Sequence, residues 1–331
     1  MSVLAMPPYP WQIAQWQSFT AQLRNNTLPH GLLITGSKGL GLEKLGQAMG
    51  QYLLCLAPID ESACGRCKAC HLLSAGSHPD FVEIHPEEKS RQIKVDQVRS
   101  VNEFMSKTAQ QGGRKVVVLY PVEAMNANAA NALLKSLEEP SNDTILVLVS
   151  LEPSRVLPTI RSRCAIIPMG IPAAAVASEW LQSMGVEDSV SLLNDAGGAP
   201  LTAMLWWQDG VVDNRRVMCE SLASLSCGTK TTAALAVEWK NYPLDEIVAT
   251  LISWVERLVK VKMGSVEPDA GVAREWAELQ SAFDAVPLEA LFRYRDSLCQ
   301  RKKLLSSGAN VNAQLGLEET LLDWQLLARL R

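Results

Sequence analysis
The chain has 331 residues, more than one hydrophobic core usually serves, so two or three domains are expected. Its 47% apolar and 20% charged residues describe an ordinary soluble chain, and 31 basic against 35 acidic residues (net −4) exclude a global basic field for nucleic acid. No apolar run approaches the roughly 20 residues that span a bilayer, and MSVLAMPPYPWQ at the start lacks the basic and apolar regions of a signal peptide, so the expected compartment is the cytoplasm, away from membranes.

Residues 9–30 place Trp11, Ile13, Trp16, Phe19 and Leu23 in helical phase, and Asn25-Asn26 with Pro29 end that helix. Leu32–Thr35 predicts the first strand; GSKGLGLE (36–43) follows, then a helix with Leu42, Leu45, Met49 and Tyr52 inward. Gly36 and Gly41, between strand and helix, fit the frame G-x-x-x-x-G-K-[ST] of a phosphate-binding loop. In a working loop the Lys reaches the β- and γ-phosphates and the hydroxyl binds Mg²⁺. Here those positions hold Leu42, which has no charge, and Glu43, whose carboxylate repels a triphosphate. Lys38 stands at another point of the frame and does not substitute. The loop keeps its shape without its chemistry, and an ordinary glycine turn fits the same residues.

Cys55-x8-Cys64-x2-Cys67-x2-Cys70 lies in the polar stretch CLAPIDESACGRCKAC. Eight cysteines in a cytoplasmic chain are expected as reduced thiols or metal ligands. Four thiolates this close suit a closed tetrahedral Zn²⁺ site, structural because no coordination position stays open. Free thiols or an iron–sulfur cluster fit the same spacing. His71 follows Cys70 as a bystander.

His78-Pro79-Asp80 turns the chain into a strand, Phe81–Ile84; the charged loop HPEEKSRQ (85–92) follows, and Ile93–Met105 predicts an amphipathic helix. His30, His71, His78 and His85 show no spacing for a metal or a catalytic dyad and read as loop or core residues. The β-branched run Val116–Tyr120 predicts a buried strand. A phosphate-loop ATPase carries its Mg²⁺-binding Asp and water-activating Glu at this strand's end, where Tyr120 and Pro121 supply neither metal ligand nor base. Glu123, in the following turn, is a remote replacement for the base. Next comes a helix with Ala130, Leu133, Leu134 and Leu137 on one face, ended by Pro140, and a second buried strand, Ile145–Val149. Beyond Pro153 the chain presents Arg161-Ser162-Arg163-Cys164, then the apolar run Ala165–Ile167. On its residues alone, Arg163 reads as a helix-terminal arginine that satisfies carbonyls and the dipole.

Pro168–Pro172 reads as a linker and residues 173–209 as a small helical unit. The remainder is all-helical, with amphipathic runs at Asp245–Val261, Ala273–Phe283, Leu288–Leu305 and Asn310–Leu330, and Arg301-Lys302-Lys303 as a solvated helix face. The expected domains are 1–170, 171–210 and 211–331.

ANALLKSLEEP (130–140), TIRSRC (159–164), the degenerate GSKGLGLE and the cysteine loop together resemble the delta-prime family of bacterial DNA polymerase III clamp-loader subunits, within the AAA+ group. The resemblance implies an α/β fold: a RecA-like AAA+ domain with a parallel sheet and zinc loop, a small helical lid, and an all-helical collar domain. It implies a non-hydrolysing scaffold with structural Zn²⁺ and no functional ATP site. Within Ser162-Arg163-Cys164, Arg163 would act as an arginine finger in trans on ATP bound by a neighbouring subunit. The implied partners are clamp-loader ATPase subunits and a delta subunit in a hetero-pentamer of the polymerase III holoenzyme, acting on primer-template DNA and a sliding clamp. Leu201 stands where active relatives place a nucleotide-sensing arginine. Two other readings start from the residues themselves: an active phosphate-loop ATPase with unusual motifs, and a zinc-dependent nucleic-acid-binding module. The lost phosphate and metal ligands weigh against the first, the acidic balance and sparse aromatics against the second.

Overall fold
The computed structural model describes residues 9–87, 90, 92–111, 113–140, 143–209, 211–264, 274–306 and 312–330, without the side chains of 211–216, 274, 275 and 306. The first eight residues, three of the charged loop (88, 89 and 91), Gly210, and the starts of the runs expected at 273 and 310 lie outside the described residues.

The elements run α1 (Ile13–Arg24), β1 (Gly31–Thr35), α2 (Leu42–Leu54), α3 (Lys68–Ser74), β2 (Phe81–Ile84), α4 (Val95–Ser106), β3 (Lys115–Leu119), α5 (Ala127–Glu138), β4 (Thr144–Ser150), α6 (Pro158–Arg161) and β5 (Ala165–Pro168). Helices follow: α7 (Ala174–Ser183), α8 (Ser189–Asp195), α9 (Pro200–Gln208), α10 (Val211–Ser226), α11 (Thr232–Trp239), α12 (Leu244–Lys262), α13 (Arg274–Ala282), α14 (Leu288–Ser306) and α15 (Ala313–Ala328).

The five strands pair in parallel in the order β2-β3-β4-β1-β5. Strands covered on both faces need continuous apolar runs rather than alternation, and β3 and β4 are buried along their whole length. Alternate residues serve opposite faces. Leu32, Ile34, Val116, Val118, Val147 and Val149 pack with Trp16 and Phe19 of α1 and Leu45, Met49 and Tyr52 of α2. Leu33, Val117, Leu119, Leu146 and Leu148 pack with Val98 and Val101 of α4, Leu133 and Leu137 of α5 and Ile160 of α6. This is the parallel α/β sheet that the resemblance implies.

A parallel sheet gathers the carboxyl ends of its strands at one edge, where the loops after β1, β3 and β4 meet. The segment before β5 emerges at the other edge: a Cβ built on Gly31, the first residue of β1, would lie 3.3 Å from the Arg163 carbonyl and 3.4 Å from Cys164 Sγ. The glycine loop and the basic hook therefore occupy opposite ends of the same domain.

The chain divides into two compact units, Met1–Glu187 with Gly198–Thr202, and Asp188–Gly197 with Ala203–Arg331. The second is helical, around a core that includes Leu222, Leu235, Trp239, Val248, Leu251, Trp254, Phe283, Leu291 and Trp324. The four predicted runs become α12 to α15. Arg301 departs from the solvated-face reading: its guanidinium donates to the Gly316 carbonyl (2.8 Å), lies 3.5 Å from both Glu319 and Asp323, and braces α14 against α15. Among the described residues no helix is long and apolar enough to cross a membrane.

Candidate functional site
The glycine loop sits at the carboxyl edge of β1, as its spacing predicts, with side chains of the chain itself packed against its glycines. Gly41 caps α2 with φ of 76°, and Gly39 turns at 83°, both left-handed values that glycine adopts without strain. Leu42 is 1% exposed, and its side chain folds back over Gly36, passing 3.2 Å from where a Cβ would stand. A Cβ on Gly41 would meet the Tyr9 ring at 2.4 Å, and one on Gly39 would meet Thr202 Oγ1 at 2.1 Å. The loop's carbonyls are engaged as well. Gln12, fully buried, donates through Nε2 to Leu40 O (2.7 Å) and Gly41 O (3.1 Å); Trp11 Nε1 donates to Leu40 O (3.0 Å), and the Leu201 amide to Gly39 O (3.0 Å). Tyr9 stacks on Trp11 with centroids 4.9 Å apart, and Trp180 packs edge-on against both. Hydrophobic and hydrogen-bonded contacts thus pack side chains against the glycines and engage the loop's carbonyls.

The adjoining carboxylates are committed to the protein. Burial raises the Glu43 carboxyl pKa above its ordinary value, nearby Lys38 opposes that shift, and Glu123 adds to it. Glu123 Oε1 accepts the amides of Leu151 (2.9 Å) and Glu152 (3.0 Å), so it ties down the turn after β4. Tyr120 is half-buried, its hydroxyl pKa raised by burial and by the Glu83 carboxylate, which also accepts from Gln47 Nε2. No Mg²⁺-binding carboxylate appears at Tyr120 or Pro121.

The four cysteines of the loop converge. Cys55 ends α2, Cys67 caps α3, and all four sulfurs lie within 4.8 Å of one another. Cys55 Sγ is 3.7 Å and Cys64 Sγ 3.9 Å from Cys70 Sγ. Sulfurs about 2.3 Å from a central Zn²⁺ form a tetrahedron with edges of about 3.8 Å, so the donor set fits such an ion. Backbone amides support the sulfurs: Cys64 N donates to Cys55 Sγ (3.2 Å) and Cys70 N to Cys67 Sγ (3.4 Å). The Arg66 amide helps lower the Cys64 thiol to about 6, whereas burial raises that of Cys70. Asp60 and Glu61 turn the loop with φ of 47° and 59°, and the Trp16 indole donates to Glu61 O at 2.8 Å, holding the loop on α1.

At the opposite edge, Ser162 ends α6 and Arg163 follows, its side chain 34% exposed. Its Nη1 donates to Thr159 O (3.0 Å) and Ser162 Oγ (3.3 Å), and Nη2 pairs with the Glu138 carboxylate. Cys164 packs beneath, its thiol pushed up to about 11 by burial and therefore neutral. Arg161 is exposed, and Arg155 pairs with Glu152 at 3.2 Å.

Family models described as "DNA polymerase III, delta subunit" and "DNA polymerase III, delta subunit, C terminal" match residues 11–171 and 210–325. The chain is 39% identical to DNA polymerase III subunit delta' of Pseudomonas aeruginosa, over 96% of this chain and 98% of that protein. It is 31% identical to the Escherichia coli protein of the same name, over 95% and 94%. The chain belongs to the DNA polymerase III delta-prime family. A solved gamma subunit-related protein of Thermotoga maritima aligns with a TM-score of 0.44 at 19% identity, over 94% of this chain and 99% of that one.

Against the sequence reading of this delta-prime family member, the structure assembles Cys55, Cys64, Cys67 and Cys70. It places Gly36, Gly41, Leu42 and Glu43 in one loop, and keeps Ser162, Arg163 and Cys164 apart from that loop. The role of the residues packed against the loop is not legible in the sequence: Tyr9 and Gln12 belong to no motif, Trp11 shows only a helical phase, and Thr202 stands out only as the neighbour of Leu201. The YPWQ string directly before the first helix is the one signal that could have directed attention there. A second buried set went unread. Asp80 accepts the amides of Gln110 (2.7 Å) and Gln111 (2.8 Å), while Lys115 Nζ caps α4 through the carbonyls of Phe104, Met105 and Lys107.

Proposed function
We propose that this chain is the non-hydrolysing delta-prime scaffold of a DNA polymerase III clamp loader and that it lends Arg163 in trans to ATP held by a neighbouring ATPase subunit. One observation carries the reading: the hook lies at the edge of the sheet opposite the chain's own loop. Across the five residues of β1, at about 3.3 Å per residue, that separation is roughly 16 Å, beyond the reach of an arginine side chain. A phosphate met by Arg163 therefore belongs to another subunit. A guanidinium on developing phosphoryl charge is worth on the order of 10³–10⁵ in rate.

The loop's chemistry supports the non-hydrolysing part, since a triphosphate would meet Leu42 and Glu43 where a working loop offers Lys and a Mg²⁺-binding hydroxyl. In this reading Ser162 and Cys164 seat the finger, and Cys55, Cys64, Cys67 and Cys70 hold one structural Zn²⁺. That ion would cross-link the turn between α2 and α3 through thiolates that leave no position open for substrate. The partners are the ATPase subunits and a delta subunit in a hetero-pentamer of the polymerase III holoenzyme, which brings primer-template DNA and the sliding clamp to this cytoplasmic chain. Residues 1–170, 171–210 and 211–331 serve as AAA+, lid and collar domains.

The test is Arg163→Ala in a loader reconstituted with the ATPase and delta subunits. Turnover at the ATP site beside this chain should fall by about 10³-fold or more, and clamp loading with it, while the free chain's melting curve is unchanged. Unaltered turnover would end the finger assignment.

A further inference from the structure
Arg163 is not presented bare. Its Nη1 is anchored to Thr159 O and Ser162 Oγ at the end of α6, and its Nη2 is paired with Glu138, the last residue of α5. The two attachments differ in kind. Carbonyls at the end of α6 welcome a cation, so the first would hold the guanidinium in place whatever stood opposite. A carboxylate at the carboxyl end of α5 stands against the helix dipole, so Glu138 contributes nothing to its own helix there, and its favourable interaction is with Arg163. While that pair is closed, the arginine presents almost no net charge outward.

We propose that Glu138 is a masking counter-ion for Arg163: it holds the finger neutralised until a γ-phosphate on the adjoining subunit displaces it. This rests on the finger reading above. A terminal phosphate carries more charge than one carboxylate and takes both guanidinium faces, whereas a diphosphate leaves the outer position empty and the arginine returns to Glu138. The pair is then a two-state element biased by the neighbour's nucleotide, with Thr159 O and Ser162 Oγ as the fixed pivot. Both partners are substantially exposed, at 34% and 49%, so the mask is weak and readily exchanged.

The experiment uses the reconstituted loader with Mg·ATP and three variants of this chain: Glu138→Gln, which keeps the shape and a hydrogen bond but not the charge, Arg163→Ala, and the two combined. Glu138→Gln should lower the KM for ATP and raise turnover in the absence of clamp and primed DNA by up to about five-fold, the range open to an exposed ion pair. The combined variant should match Arg163→Ala alone, because the mask has nothing left to cover. A fall in turnover with Glu138→Gln overturns the proposal, since Glu138 would then aim the arginine rather than hide it; so does unchanged turnover and KM. If Arg163→Ala itself leaves turnover intact, it is the finger reading that fails.

Discussion

The glycine loop and the basic hook belong to one domain and lie at the two ends of one sheet, yet their fates are opposite. At the loop, the side chain in the lysine position is 1% exposed and folded inward, Leu40 is fully buried, and every carbonyl from Gly39 to Gly41 has a donor from the chain itself. At the hook, a charged side chain remains a third exposed and is held by groups it can exchange. At the loop, the chain packs Leu42, Tyr9 and Thr202 against the glycines, because a dry, packed interior is more stable than a polar hollow. Where the charge remains, it stays at the surface, since burying a guanidinium without a permanent partner would cost several kcal/mol.

That contrast breaks most visibly at Arg163→Ala, where turnover at the adjoining ATP site should drop by about 10³-fold or more with no loss of fold. Tyr9→Ala reverses the emphasis. It should cost about 3 kcal/mol of stability in urea melts, as expected for an aromatic removed from a packed site, while leaving Arg163-dependent turnover in place. Gln12→Ala should cost about 1 kcal/mol, because Leu40 O and Gly41 O each lose one of two donors and keep those from Trp11 and the Leu45 amide. A gentler probe lies away from both regions. Burial holds the His78 imidazole pKa below its usual value, and Nδ1 accepts the Asp80 amide at 3.1 Å, so the folded state binds fewer protons than the unfolded one between the two values. Stability should therefore rise with pH through that window and be lost as pH falls toward the folded value, a slope that His78→Gln removes. The smallest expected effect is the most pointed. Leu42→Lys with Glu43→Thr restores the loop's missing side chains, yet it should give no Mg·ATP binding below about 1 mM in a titration, because Tyr120 and Pro121 still supply no carboxylate for Mg²⁺. Tight binding by that variant would show that those two side chains alone were missing.

Much of this was legible beforehand. The unbroken Val/Ile/Leu runs of β1, β3 and β4 announced a sheet buried on both faces, and Phe81–Ile84 is a strand with the bounds read from sequence. The cysteine spacing announced a cluster because short spacers leave sulfurs few directions. Leu42 and Glu43 show from residue identity alone that the Lys and hydroxyl of a working phosphate loop are missing, because a charge is present or absent whatever the fold does. In α4, Val101 is buried and Asn102 half-buried, with Asn102 Nδ2 donating to Ala132 O at 2.8 Å. A polar residue that finds a partner across a helix pair sits beside the apolar stripe, and periodicity cannot tell it from a core position. Helices α10 and α11 were not singled out, because Ser, Ala and Cys form much of their buried surface and give a weak apolar period.

By itself the sequence determined the inventory: which strands lack polar residues, which loop has lost its lysine, which four thiols lie close along the chain, and where an exposed arginine precedes the last strand. Those are local properties, set by residue identity and spacing. The tertiary structure alone decided what surrounds them. Tyr9 and Thr202 are 193 positions apart and meet on one loop, and Glu138 reaches Arg163 across the break between α5 and α6. Filling a volume and masking a charge depend on which distant segments the sheet brings within a few ångströms, and no pattern along the chain encodes that distance.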